Sequence, residues 1–175
     1  SKDLYYKRVV KMLAWDRDFL YEYVVALFLM GLCFLGVAYA FRHLIHTVYE
    51  QATIVADVAP VFGLLLLPIF VRYFSYLYDP PSLLLFTVAV IVLYKRQLFL
   101  TYVVLLLAAI NKETAILIAG LFFVREFRTR ALAPLIGHVV LMTIVWASVR
   151  GGLGYVYRDN PGNWIENYFM DHNLR

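Results

Sequence analysis

The sequence predicts an all-α integral membrane protein: a polytopic bundle of about five to six transmembrane or half-spanning helices, preceded by an interfacial amphipathic helix. Three observations carry that expectation. Apolar residues make up 63% of the 175-residue chain, against roughly 45–50% in soluble domains. The mean hydropathy is +0.72. The charges between residues 23 and 149 also fall largely between long apolar runs, as in Lys95-Arg96 and Arg125 to Arg130. Hydrocarbon offers no partner for a backbone amide or carbonyl, so a run that crosses it must satisfy those groups within itself, as a helix does.

Residues 1–22 form the expected interfacial segment. Leu4, Val9, Met12, Leu13 and Leu20 recur at roughly helical spacing, with Lys7, Arg8, Lys11 and Arg17 interleaved. Asp3, Asp16, Asp18 and Glu22 and the lack of an apolar core distinguish it from a secretory signal. Tyr23 to Phe41 is 19 residues without a charge, close to the roughly 20 needed to cross. Arg42 to Val58, with His43, His46, Glu50 and Asp57, is too polar to span.

Ala59 to Leu77 is the second long run, interrupted by Pro68 and Arg72, and Asp79-Pro80-Pro81 ends it. Ser82 to Tyr94 and Leu98 to Ile110 have 13 residues each, and Ala115 to Val124 has 10. The last would reach about 15 Å, half of a typical hydrocarbon core. Asn111-Lys112-Glu113-Thr114 therefore reads as the tip of a hairpin rather than as mid-helix, since an ion pair at mid-depth suits a lipid-facing span poorly. Ala131 to Val149 is the last crossing of the helical domain, residues 23–149. Residues 150–175 form a polar tail in which Gly151-Gly152-Leu153-Gly154 reads as a flexible exit.

The excess of Lys and Arg, a net charge of +4, lies at the ends of apolar runs. That placement is membrane topology chemistry, and no stretch has the dense charge and accessible aromatics of a nucleic-acid face. The basic turns at 95–96 and 125–130 favour the cytoplasm, which puts Asp79 and the 111–114 tip together on the opposite side. The basic N-terminal residues favour the cytoplasm as well, and the two counts conflict. Cys33, the single cysteine, can form no internal disulfide.

Ionisable side chains at membrane depth are functional candidates. Arg72, Asp79, Lys112 and Glu113 could frame one aqueous cleft holding a divalent metal or a lipid phosphate. Alternatively, Asp79 caps its helix, and Lys112 and Glu113 pair with neighbours. His43, His46 and Glu50 fall at i, i+3 and i+7, which could hold a metal on one helix face. His138, inside the last run, could ligate haem iron or a chlorophyll magnesium, or hydrogen-bond a neighbouring helix. Glu50 and Asp57 are the candidate catalytic carboxylates of the first polar loop.

Two strings carry a resemblance: Tyr78-Asp79-Pro80-Pro81-Ser82-Leu83-Leu84-Leu85-Phe86 and Ala108-Ala109-Ile110-Asn111-Lys112-Glu113-Thr114-Ala115-Ile116-Leu117, with Lys95-Arg96 between them. Over residues 59–124 the pattern resembles the core of bacterial polytopic glycosyltransferases of the GT-C type. The resemblance implies a multi-helix enzyme of the bacterial inner membrane that moves a sugar from a polyprenyl-phosphate carrier to an acceptor. It also implies an acidic catalytic residue in the first outer loop, where this chain has Glu50 and Asp57 but no adjacent acidic pair. The other expectation is a non-catalytic accessory subunit of a larger respiratory or photosynthetic membrane complex. There the short helices would need protein neighbours, and the small residues Gly31, Gly36, Ala38 and Ala40 would admit a partner helix.

Overall fold

The computed structural model describes residues 17–49, 53–70 and 79–158. Among the described residues the chain is helical throughout, with six α-helices and no strand. They are α1 (Arg17–Val48), α2 (Thr53–Phe70), α3 (Asp79–Tyr94), α4 (Leu98–Asn111), α5 (Leu117–Glu126) and α6 (Leu132–Val156), with a 3-10 helix over Glu113–Ile116 leading into α5. Most of the expected interfacial segment and of the polar tail lie outside the described residues. The chain divides into two compact units, residues 1–91 and 92–175, so that the last turn of α3 belongs to the second.

In the first unit α2 packs against α1. Its contact face is small: Ala56 and Pro60 are buried, and Gly63 lies beside the Phe41 ring, 3.9 Å from where a Cβ would stand. Their i, i+4, i+7 spacing puts all three on one stripe, which lets the helix axes approach. The Leu84 side chain of α3 reaches Gly36 of α1, where a Cβ would stand 3.0 Å from its Cδ2. Asp79, Pro80 and Pro81 open α3. Proline suits a first helical turn, where an amide donor has no helical partner in any case, and an acid there complements the dipole.

The second unit is the α4–α5 hairpin packed on α6. Its core comes from Val104, Leu105, Ala108 and Ala109 of α4, Ala115 of the 3-10 turn, Ile118, Ala119 and Phe122 of α5, and Leu135 and Met142 of α6, all buried. The buried positions repeat at i, i+1 and i+4, the mark of one helix face. Alanines cluster at the tip, where α4 packs against the 3-10 turn that follows it after one residue.

Several boundaries differ from those expected. α1 continues unbroken through Phe41 to Val48, carrying Arg42, His43 and His46 inside the helix. α6 runs on to Val156, so Gly151, Gly152 and Gly154 are helical. Each glycine costs a helix only about 1 kcal/mol relative to alanine, too little to end one. The short limb after the tip is lengthened by the 3-10 turn, which rises about 2 Å per residue. Val24–Val48 and Leu132–Val156, 25 residues each, are long and apolar enough to cross a membrane.

Candidate functional site

The expected site residues that are described lie on several elements. Glu50 and Arg72 lie outside the described residues. Asp57 is on α2, and its Oδ1 accepts a hydrogen bond from Arg42 Nε of α1. Both side chains are about half exposed, 50% and 53%, so the pair ties two helices at a wet edge. Asp79 begins α3 in the first unit, whereas Lys112 and Glu113 lie in the second.

At the tip, α4 ends at Asn111 and Lys112 takes extended geometry, φ −152° and ψ 146°. That single residue makes the break. The Lys112 amide still donates to the Ala108 carbonyl, 2.8 Å away. The chain then re-enters a helical turn at Glu113, and Arg150 of α6 donates to Glu113 Oε2 at 3.3 Å. The Trp146 indole donates to the Glu113 carbonyl at 2.9 Å, one turn earlier on α6. Lys112 and Glu113 therefore do different work: one turns the chain, and the other anchors the turn to α6. From Leu132 to Arg150 the helix rises about 27 Å at 1.5 Å per residue, which separates the two ends of the unit.

His43 and His46 lie one turn apart on α1, and their expected partner Glu50 lies outside the described residues. His43 is exposed on α1, and its carbonyl accepts the Thr47 hydroxyl at 2.7 Å. His46 lies in the last turn of α1, where a cation would complement the helix dipole. His138 lies where α4, α5 and α6 meet. The Tyr102 hydroxyl is 3.0 Å from its Nδ1 and 3.3 Å from its carbonyl, and the Phe122 ring packs edge-on at 5.9 Å between centroids. This helix-bridging contact is the alternative the sequence offered to a pigment or haem ligand. Among the described residues no group of three or more His, Cys, Asp or Glu side chains could hold a metal.

The residue that sequence reasoning missed is Glu126. It is the buried acid of the basic turn, 3% exposed, and its carboxylate bridges two guanidinium groups. Arg125 Nη1 donates to Oε1, and Arg130 Nε donates to Oε2 at 2.6 Å. Arg125 uses its other nitrogen, Nη2, on the Tyr94 carbonyl at 3.0 Å, linking this turn to the end of α3. Burial of the carboxyl opposes its charge. The Arg130 hydrogen bond and the charges of Arg130, Arg125 and Arg96 outweigh that and hold its pKa below the ordinary value. The Glu126–Arg130 i, i+4 spacing was a readable signal; the link to Tyr94, 31 residues away, was not.

The other basic turn is a Schellman closure. The Gln97 amide donates to the Val92 carbonyl at 3.1 Å and the Arg96 amide to that of Leu93 at 3.0 Å. Arg96 has φ 57°, the left-handed conformation that glycine usually supplies. Comparison of the chain with protein-family models, characterised proteins and solved structures gave no significant match.

Proposed function

We propose that the chain is a polytopic membrane protein of the GT-C glycosyltransferase kind, a helical frame that engages a polyprenyl-phosphate-linked sugar in the bacterial cytoplasmic membrane. What supports the membrane part is the distribution of apolar surface. Leu132, Ile136, Val140, Leu141 and Ile144 of α6 are all about half exposed or more, as are Leu27, Phe28, Leu29, Leu32 and Leu35 of α1. Half-exposed to water, each such side chain forgoes about 1 kcal/mol, half of what full burial gives, and lipid removes that penalty.

The observation that carries the transferase part is where the motif residues fall. Asp79 opens a helix, Lys95-Arg96 closes it, and Lys112-Glu113-Thr114 breaks the following hairpin. Each motif thus coincides with a helix boundary, where polar groups can reach an aqueous edge. Lys112 is the cation assigned to the lipid phosphate; Asp79, in the other unit, is assigned separately to a divalent metal. Asp57, on α2, is the assigned acid, held by Arg42.

The accessory-subunit reading draws on a different observation: Asp57, Glu113 and Glu126 are each paired with an arginine of the same chain. Two of these pairs, Asp57 with Arg42 and Glu113 with Arg150, join separate elements. Purification in a mild detergent with analysis of the retained lipids separates the two readings. Retention of a polyprenyl phosphate that Lys112→Gln abolishes is the result expected of the transferase. Fixed-stoichiometry recovery with a larger membrane complex, without such a lipid, would replace it with the subunit.

A further inference from the structure

The two basic turns of the second unit form one surface. Arg125 donates to the Tyr94 carbonyl, and Arg96 is near enough for its charge to act on Glu126. The segments 94–97 and 125–130 therefore lie together at the end of the unit away from Glu113. They contribute Lys95, Arg96, Arg125, Arg128 and Arg130 against one carboxylate, a net charge of +4 from five cations and Glu126. The cations are not equivalent. Arg125 and Arg130 are half-buried and bridged by Glu126; the side chains of Lys95, Arg96 and Arg128 are exposed.

Apolar and aromatic groups surround them. Phe99 is 78% exposed and Val124 73%, and Tyr94 and Phe127 are also exposed. A cationic patch ringed by exposed aromatics and set at the end of apolar helices matches a lipid headgroup plane, with phosphate above and acyl chain below. We infer that this end of the second unit is a binding site for anionic glycerophospholipid. Lys95, Arg96 and Arg128 take the headgroup phosphate, Tyr94, Phe99 and Phe127 lie along the upper acyl chain, and Arg125, bonded to Glu126 and to the Tyr94 carbonyl, holds the two turns in register. The inference rests on the membrane reading above and is independent of the transferase.

The test reconstitutes the full chain into nanodiscs of phosphatidylcholine containing phosphatidylglycerol and counts retained lipids by native mass spectrometry. The wild type should keep phosphatidylglycerol in preference to phosphatidylcholine. The double variant Arg96→Gln/Arg128→Gln should bind it about 30-fold more weakly, at close to fivefold per surface cation. Lys95→Gln/Arg128→Gln, which leaves the left-handed residue intact, should behave alike. Arg158→Gln, in the turn after α6, should change nothing. Equal retention of both lipids by the wild type, or an equal loss in Arg158→Gln, overturns the site while the membrane reading stands. A chain recovered in the aqueous phase after carbonate washing of membranes overturns both.

Discussion

Arg125 spans two turns with one side chain, giving Nη1 to Glu126 and Nη2 to the Tyr94 carbonyl. The Tyr94 carbonyl belongs to the last turn of α3, where carbonyls have no helical amide to accept. A guanidinium can serve both acceptors because its donors diverge in a rigid plane. Arg125→Lys should therefore keep the charge and lose one of the two links. We expect a destabilisation of about 1 kcal/mol, read as a lower melting temperature in detergent.

Glu126 gives the chain an acid-sensitive joint. Its folded-state pKa is below the ordinary value of 4.5, so its contribution is fully present above that value and disappears as pH falls through the lower, folded one. Glu126→Gln should cost about 2 kcal/mol at neutral pH, in the range for a hydrogen bond to a charged group. The gap between the two melting temperatures should narrow on acidification below 4.5. A gap that stays constant with pH would mean that the carboxylate charge is not what holds the turn.

At Arg96 the backbone can be tested without changing the charge balance between variants. Arg96→Gly and Arg96→Val lose the same cation, but glycine accepts φ 57° freely and a β-branched residue resists it. Glycine should be the more stable of the two by about 2 kcal/mol. Equal melting temperatures would place the left-handed turn outside the folded unit's requirements.

Gly36 of α1 receives the Leu84 side chain of α3. Gly36→Leu should destabilise by about 2 kcal/mol, since its side chain would meet Leu84 and force repacking. Leu84→Ala should recover much of that in the double variant, a coupling that a thermodynamic cycle measures. Gly31→Leu on the same helix has open space, with nothing within 4 Å of its Cβ position, and should be close to neutral.

The Arg42–Asp57 pair is half exposed, which limits its worth to about 1 kcal/mol at most. Single replacements, Arg42→Gln or Asp57→Asn, should shift stability by no more than that. The exchange Arg42→Asp/Asp57→Arg should restore it. If Asp57 is the acid of a transferase, the exchange restores stability and leaves sugar transfer abolished.

The breaks in this chain were legible where several signals coincide. Asp79-Pro80-Pro81 combines an acid with two prolines, and the structure begins α3 there. The Asn111 to Thr114 tetrad interrupts apolar sequence on both sides, and the hairpin turns at Lys112. Polarity alone misled: His43 and His46 suggested a loop, yet α1 carries them because a helix needs only satisfied backbone bonds, not apolar side chains. The glycines at 151–154 misled in the same way. Glu126 went unnoticed because its importance depends on Tyr94 and Arg96, residues that only the returning hairpin brings near it. Of the site residues, the sequence picked out Glu113 and Lys112 but not the partners on α6, Trp146 and Arg150, that fix the tip.

The second unit is pinned at both ends, by Arg125 on Tyr94 and by Arg150 on Glu113, with about 27 Å of helix between Leu132 and Arg150. Such a unit is a ruler. It cannot lengthen by sliding one helix past another, because a one-turn slip of 5.4 Å would break the ties at both ends. In a bilayer thicker than its own apolar height, the lipid rather than the protein must deform, thinning around the unit or drawing in partners to cover the step. On the proposed membrane reading, the two tied ends would sort this protein by bilayer thickness, toward membranes whose hydrocarbon matches the separation they enforce.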